Sequence, residues 1–161
     1  MQTIGYAAKS AGAHLELYEF NRRPVGENDV LIEIIYAGIC HSDIHQVKDE
    51  WGGSIYPMVP GHEIVRFIYF MRSTNDIKVG KVTQVGQKVT KVKVGDIAGV
   101  GCMVDSCREC TYCKYASFTP FNSNVHRNHE ELMCVKGCSQ TYNGTEMDRK
   151  TPTYGGYSRL V

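Results

Sequence analysis

Lys81-Val82-Thr83-Gln84-Val85-Gly86-Gln87-Lys88-Val89-Thr90-Lys91-Val92-Lys93-Val94-Gly95-Asp96-Ile97-Ala98-Gly99-Val100 is the stretch on which the fold turns. Its valines alternate with polar residues, and Gly86, Gly95 and Gly99 punctuate the run. That pattern predicts a meander of short strands, as in a β-barrel or sandwich. Upstream, Val30-Leu31-Ile32-Glu33-Ile34-Ile35-Tyr36 follows polar Glu27-Asn28-Asp29 and stops before Gly38, so 30–36 reads as a buried strand. Residues 42–50 are polar and compact enough for a short helix. Cys40 then stands just before a helix N-terminus, where backbone N–H groups favour thiolate over thiol. Beyond Gly101 the periodicity fades, which predicts a loop ordered by metal, and Tyr154-Gly155-Gly156-Tyr157 reads as a turn entering another strand.

With 161 residues and an apolar fraction of 42%, the chain has enough material for one core, and one domain over 1–161 is expected. A formal net charge of +1, with both signs interspersed, offers no footprint for nucleic acid or an anionic membrane. The first residues form no long apolar run, so neither an export signal nor a spanning helix is expected. Seven cysteines, an odd number, argue for a reducing compartment, and a cytoplasmic location is the expectation.

Cys107, Cys110 and Cys113 recur every three residues, with Cys134 behind them. Short loops can turn four such sulfurs toward a common point about 2.3 Å away, the requirement of a tetrahedral zinc site. A second signal lies upstream, where Gly38-Ile39-Cys40-His41-Ser42-Asp43-Ile44-His45 is followed by Gly61-His62-Glu63. Cys40 and His62 are candidate ligands of an open, catalytic metal site, and Glu63 is either a weak, alternating ligand or a carboxylate beside the ligands. Asp43 is a candidate to accept the ring N–H of His62 and set its tautomer. Ser42 and His45 can each donate and accept, and so form a candidate proton relay. Taken singly, Cys40 reads as a buried core thiol and His62 as a satisfied polar residue; the combination carries the metal reading.

The combination resembles the zinc-dependent alcohol dehydrogenases of the medium-chain dehydrogenase/reductase superfamily, cinnamyl alcohol dehydrogenase type. Besides the two motifs above, the resemblance rests on Pro57-Met58-Val59-Pro60 before Gly61, Val94-Gly95-Asp96, the run from Gly99 to Cys107, Thr141-Tyr142-Asn143-Gly144 and Tyr154-Gly155-Gly156-Tyr157-Ser158, and it spans nearly the whole chain. It implies a mainly β, GroES-like, partly open β-barrel with short helices and a zinc-binding loop. It also implies two Zn²⁺ sites: Cys40 and His62 with Glu63 at the catalytic one, and Cys107, Cys110, Cys113 and Cys134 at the structural one. By the same resemblance Ser42 contacts the alkoxide, His41 faces the cofactor pyrophosphate, NADP is the cofactor and a small aldehyde or alcohol is the substrate. Cys102 and Cys138 are expected to be non-ligands.

Family members carry a third catalytic cysteine and a Rossmann dinucleotide-binding domain after the point where this sequence stops. No Gly-x-Gly-x-x-Gly follows a strand here, so the catalytic zinc set is expected to be incomplete, the Rossmann domain absent, the chain inactive alone and the family-type dimer unformed. Two segments also interrupt the family's register. Deleting 66–79 joins Val65 to Gly80, and deleting 115–127 restores a seven-residue gap before Cys134. Both read as insertions, either ordinary surface loops, whose closure cost grows only slowly with length, or translated introns, which the splice-signal codons admitted at their junctions and the restored register favour. The alternative function is a non-catalytic zinc-bound β domain, or a non-functional product of a mis-spliced gene.

Overall fold

The computed structural model describes residues 1–63, 80–118 and 133–161. The expected insertion at 66–79, and the 119–127 part of the one at 115–127, lie outside those residues. Strand β1 (Gln2–Ala7) pairs antiparallel with β2 (Glu16–Asn21), placing Thr3 opposite Phe20 and Gly5 opposite Tyr18. Alternate residues of β1 point inward, the period of two that a half-buried strand requires. Ala7, Phe20 and Val59 form a buried cluster with Tyr18, Tyr154 and Tyr157 packed against it. Burying a side chain such as Phe20 contributes about 2–3 kcal/mol.

Strand β3 (Val30–Ile34) pairs antiparallel with β4 (Gly80–Val85) and buries Leu31, Ile32 and Val82. The register slips between Leu31 and Ile32, where β4 carries the extra residue Thr83, whose hydroxyl donates to the Leu31 carbonyl at 3.3 Å. The strand stops two residues short of the expected Tyr36, and Ile35 and Tyr36 are exposed.

The meander expected over 81–100 contains one strand, and its return is an irregular turn. Gly86 and Lys88 donate to the carbonyls of Asp29 and Glu27, and Val82 pairs with the 95–96 turn through bonds of 2.9 Å. A bridge between Lys81 and Ile97 follows, and the Ala98 N–H donates to the Gly80 carbonyl at 3.1 Å. Gly86 lies so close to the 26–27 backbone that a Cβ there would stand 2.1 Å from the Gly26 carbonyl oxygen. Val82 and Val85 thus sit on β4, whereas Val89, Val92 and Val94 fall on the irregular return, where Val94 is exposed.

Helix α1 (His41–Val47) begins one residue earlier and ends three earlier than expected. Cys40 is its extended N-cap residue, and the Asp43 carboxylate accepts the Cys40 N–H at 3.0 Å. Strand β5 (Met103–Asp105) pairs antiparallel with β6 (Ser139–Gln140). Between them α2 (Thr111–Phe118) occupies part of what reads from sequence as a loop.

The segment 154–161 joins two sheets. Its Tyr157 carbonyl and Arg159 N–H bond to β1 at Tyr6 and Ile4, while Arg159 and Val161 bond to Ile34 and Ile32 of β3. The Arg22 guanidinium clasps the same segment, donating to the Tyr154 carbonyl at 2.9 Å and lying over the Phe20 ring. The described strands thus make three two-stranded antiparallel sheets tied by bridges, a mainly β, open arrangement without barrel closure. No helix among the described residues is long and apolar enough to cross a membrane.

Candidate functional site

Two groups of ligand-type side chains converge. Cys40 at the head of α1 faces the segment 57–63, whose Glu63 carbonyl accepts the Gly38 N–H at 2.7 Å. Gly61 turns that segment with φ of 103°, a conformation that favours glycine. The Cys40 sulfur, a His62 ring nitrogen and a Glu63 carboxylate oxygen all lie within 4.8 Å of one another. Tetrahedral zinc with ordinary Zn–S and Zn–N bonds separates sulfur and nitrogen by about 3.6 Å, so a small closure serves the ion. His62 Nδ1 is taken by Asp43 Oδ1 at 3.0 Å, which leaves Nε2 to face a metal.

Asp43 is the hub beneath this group, with 2% of its surface exposed. It accepts the N–H groups of Cys40 and Gly61 and the Tyr157 hydroxyl at 2.9 Å, and the Tyr142 hydroxyl also interacts with it. Burial works to raise its pKa; the Cys40 N–H, the two hydroxyls and His62 outweigh that and hold the carboxylate below its usual range. Both tyrosines are pushed the other way, first by burial and then by their hydrogen bonds to Asp43.

Ser42 lines a cavity of about 280 Å³ with Trp51, His62, Cys102, Tyr142 and Asn143. The Cys40 thiol lies 3.6 Å from the Ser42 hydroxyl. His45 makes no direct hydrogen bond to Ser42; its Nδ1 pairs with Glu50 and its ring lies 5.0 Å from that of Trp51. His41 is exposed on the first turn, its ring 6.2 Å from that of His45. A larger cavity of about 550 Å³, between β3 and residues 151–154, contains none of these site residues.

The second group is Cys107, Cys110, Cys113 and Cys134, also within 4.8 Å of one another. The sulfurs of Cys107 and Cys113 are 3.9 Å apart and those of Cys110 and Cys113 3.5 Å, against about 3.8 Å for four thiolates around tetrahedral zinc. Backbone N–H groups aim at the sulfurs: Cys110 N–H at Cys107 (3.3 Å) and Cys107 N–H at Cys134 (3.5 Å). The N–H groups of Cys113 and Val135 draw Cys110 down to about 6, and the Cys107 N–H lowers Cys134. Burial pushes Cys113 up to about 11. Cys134 joins the group across the long connection after α2, and Cys102 and Cys138 belong to neither group. Cys102 nevertheless lines the cavity beside His62, and burial followed by the neighbouring Cys40 raises its pKa.

Sequence reasoning gave no role to Tyr142, Tyr157 or Trp51. The available signal was indirect: a buried aspartate needs donors, and the residues around Asp43 in sequence do not supply enough.

Residues 26–161 match the family described as the alcohol dehydrogenase GroES-like domain. The chain is 48% identical over 160 residues to a Bacillus subtilis protein named probable formaldehyde dehydrogenase AdhA, covering 99% of this chain and 38% of that protein. It is 44% identical to the probable cinnamyl alcohol dehydrogenase 3 of Oryza sativa subsp. japonica, covering 99% of this chain and 36% of that one. The solved structure of CAD from Helicobacter pylori complexed with NADP(H) superposes with a TM-score of 0.77 at 39% identity, covering all of this chain and 39% of that chain. The chain thus spans little more than a third of the length of the curated relatives it matches.

Proposed function

The chain belongs to the alcohol dehydrogenase GroES-like domain family, and from that premise we propose that it is the N-terminal catalytic-domain part of a zinc- and NADP-dependent alcohol dehydrogenase acting on small aldehydes and alcohols. The observation that carries the reading is the convergence of Cys40, His62 and Glu63 beside the cavity holding Ser42. When bound, zinc supplies polarisation of a substrate carbonyl and the nicotinamide supplies hydride. Cys40 and His62 would hold the ion, and Glu63 stands beside it. Ser42 donates or accepts the proton at the substrate oxygen, and Trp51 gives the cavity an apolar wall. His45, held toward Glu50, exchanges protons with solvent and reaches Ser42 only through an intervening group. His41, on the exposed first turn, is the residue we assign to the cofactor's pyrophosphate; the NADP reading draws on the Helicobacter pylori relative, whose structure is a complex with NADP(H).

Hydride transfer needs a cofactor held in near-attack geometry, so this chain by itself is expected to show negligible NADPH-dependent benzaldehyde reduction. Replacing zinc by Co²⁺ and adding benzaldehyde tests the open face of the Cys40–His62 site. A shift of the Co²⁺ d–d bands supports the reading, and bands unmoved at saturating aldehyde overturn it.

The convergence of Cys107, Cys110, Cys113 and Cys134, a full set for a tetrahedral ion, favours a second reading, a non-catalytic zinc-bound β domain holding one ion there. We read 66–79 and 115–127 as insertions into domain 1–161, arising as translated introns; a transcript lacking both segments supports this. The chain's cysteine usage fits the cytoplasm.

A further inference from the structure

Tyr157 stands 114 residues from Asp43 in sequence, yet its hydroxyl donates to Asp43 Oδ2 at 2.9 Å. Its backbone N–H bonds to the Pro60 carbonyl at 3.0 Å, its carbonyl accepts the Tyr6 N–H at 2.8 Å, and Gly156 bonds to the Gly61 carbonyl at 2.8 Å. The ring lies against Gly61, where a Cβ would come within 2.6 Å of Tyr157 Cδ1. Asp43 in turn holds His62 Nδ1 through its other oxygen. The Tyr142 ring covers His62 from a further direction, with centroids 5.9 Å apart and planes 23° apart.

We propose that Tyr157 is a positioning residue for the metal centre: its hydroxyl fixes the Asp43 carboxylate in the rotation that presents His62 Nε2 to the ion. The inference rests on the reading of Cys40 and His62 as metal ligands. Its physical basis is that a carboxylate serving a ligating histidine needs its own restraint. The Cys40 N–H holds Asp43 Oδ2 from the local chain, the Gly61 N–H holds Oδ1 from the 59–61 turn, and the Tyr157 hydroxyl adds a restraint on Oδ2 from the 154–161 segment. Docking that segment onto β1 and the 59–61 turn therefore completes the site as well as the sheet, and ion affinity is coupled to its docking.

The test compares Tyr157→Phe, Tyr142→Phe and, as a control, Tyr154→Phe in the full chain; Tyr154 sits in the same segment with its ring on Phe20, 4.6 Å away. Two quantities are read: Co²⁺ affinity at the Cys40–His62 site, followed by thiolate-to-cobalt absorption, and the His62 tautomer in the metal-free chain, followed by long-range ¹H–¹⁵N NMR. Tyr157→Phe is expected to weaken Co²⁺ binding roughly tenfold and to turn the single Nδ1–H tautomer into a mixture. Tyr154→Phe leaves both unchanged, and 4-aminophenylalanine at 157, which keeps a donor at the same place, restores both. Retention of affinity within twofold and of the tautomer in folded Tyr157→Phe overturns the proposal. If Tyr157→Phe does not fold, the 4-aminophenylalanine chain and Tyr142→Phe carry the comparison, and a mixed tautomer in the former overturns it. A chain that takes no Co²⁺ at Cys40 and His62 defeats the metal reading, while the tautomer measured without metal still decides the role of Tyr157.

Discussion

His62 Nδ1 and Asp43 Oδ1 are 3.0 Å apart, and the side chain of Asp43 is 3% exposed. A carboxylate so placed is the shared acceptor for two backbone N–H groups, an imidazole and a tyrosine hydroxyl. Asp43→Ala leaves these donors buried without an acceptor and is expected to cost about 3–5 kcal/mol. Asp43→Asn keeps one acceptor oxygen and is expected to cost less. Urea unfolding of the two variants checks the order.

The turn at Gly61 and the segment at Gly155 pack backbone on backbone. A Cβ on Gly155 would stand 2.4 Å from the carbonyl oxygens of both Pro60 and Gly61. Gly155→Ala is therefore expected to lift 154–161 off the 59–61 turn and destabilise the chain by about 2–4 kcal/mol. Gly12→Ala, where a Cβ meets nothing within 4 Å, pays only for its positive φ of 70° and is expected to cost about 1 kcal/mol. Thermal melts of the two variants check the difference.

These two relationships mark where sequence reading stops. The strand at Val30, the helix after Cys40 and the four-cysteine group were legible because each depends on local composition or spacing. The valine alternation holds for Val82 and Val85 on β4 but misleads from Val89 to Val94, since alternation predicts a strand only where a neighbour supplies hydrogen bonds, and here Gly86 and Gly95 turn the chain. Strands β1 and β2 carry Gln2, Thr3, Glu16 and Glu19, polar enough to conceal a half-buried pair. Tyr157 lies within the Tyr154–Ser158 motif, yet its contact with Asp43 depends on how 154–161 crosses the sheets, a long-range relation that no short window contains.

In the metal-free chain the four cysteines are chemically unequal. Cys110, drawn down to about 6 by backbone N–H groups, is thiolate at neutral pH, whereas Cys113, pushed up to about 11, is thiol. Iodoacetamide at pH 7.5 is expected to modify Cys110 at least roughly tenfold faster than Cys113, after allowance for the weaker nucleophilicity of a low-pKa thiolate. The Cys110 rate rises with pH through about 6 and then levels. Peptide mass spectrometry after chelation reads both rates, and zinc is expected to protect both residues.

Removing metal from the four-cysteine site withdraws the link between the β5 end of the 103–113 stretch and Cys134. Binding free energy of a structural zinc is also folding free energy, so chelation is expected to lower stability by at least about 3 kcal/mol. Cys134→Ser is expected to do the same without chelator. Cys138→Ser, outside both groups, is expected to leave the melting temperature within about 2 °C.

The most direct measurement is zinc content per chain, by elemental analysis of the purified protein and of the Cys40→Ser/His62→Ala double variant. Two zinc ions in the unmodified chain and one in the double variant, with the four-cysteine ion retained, is the predicted result. A single ion in both proteins would contradict the claim that Cys40 and His62 form a metal centre.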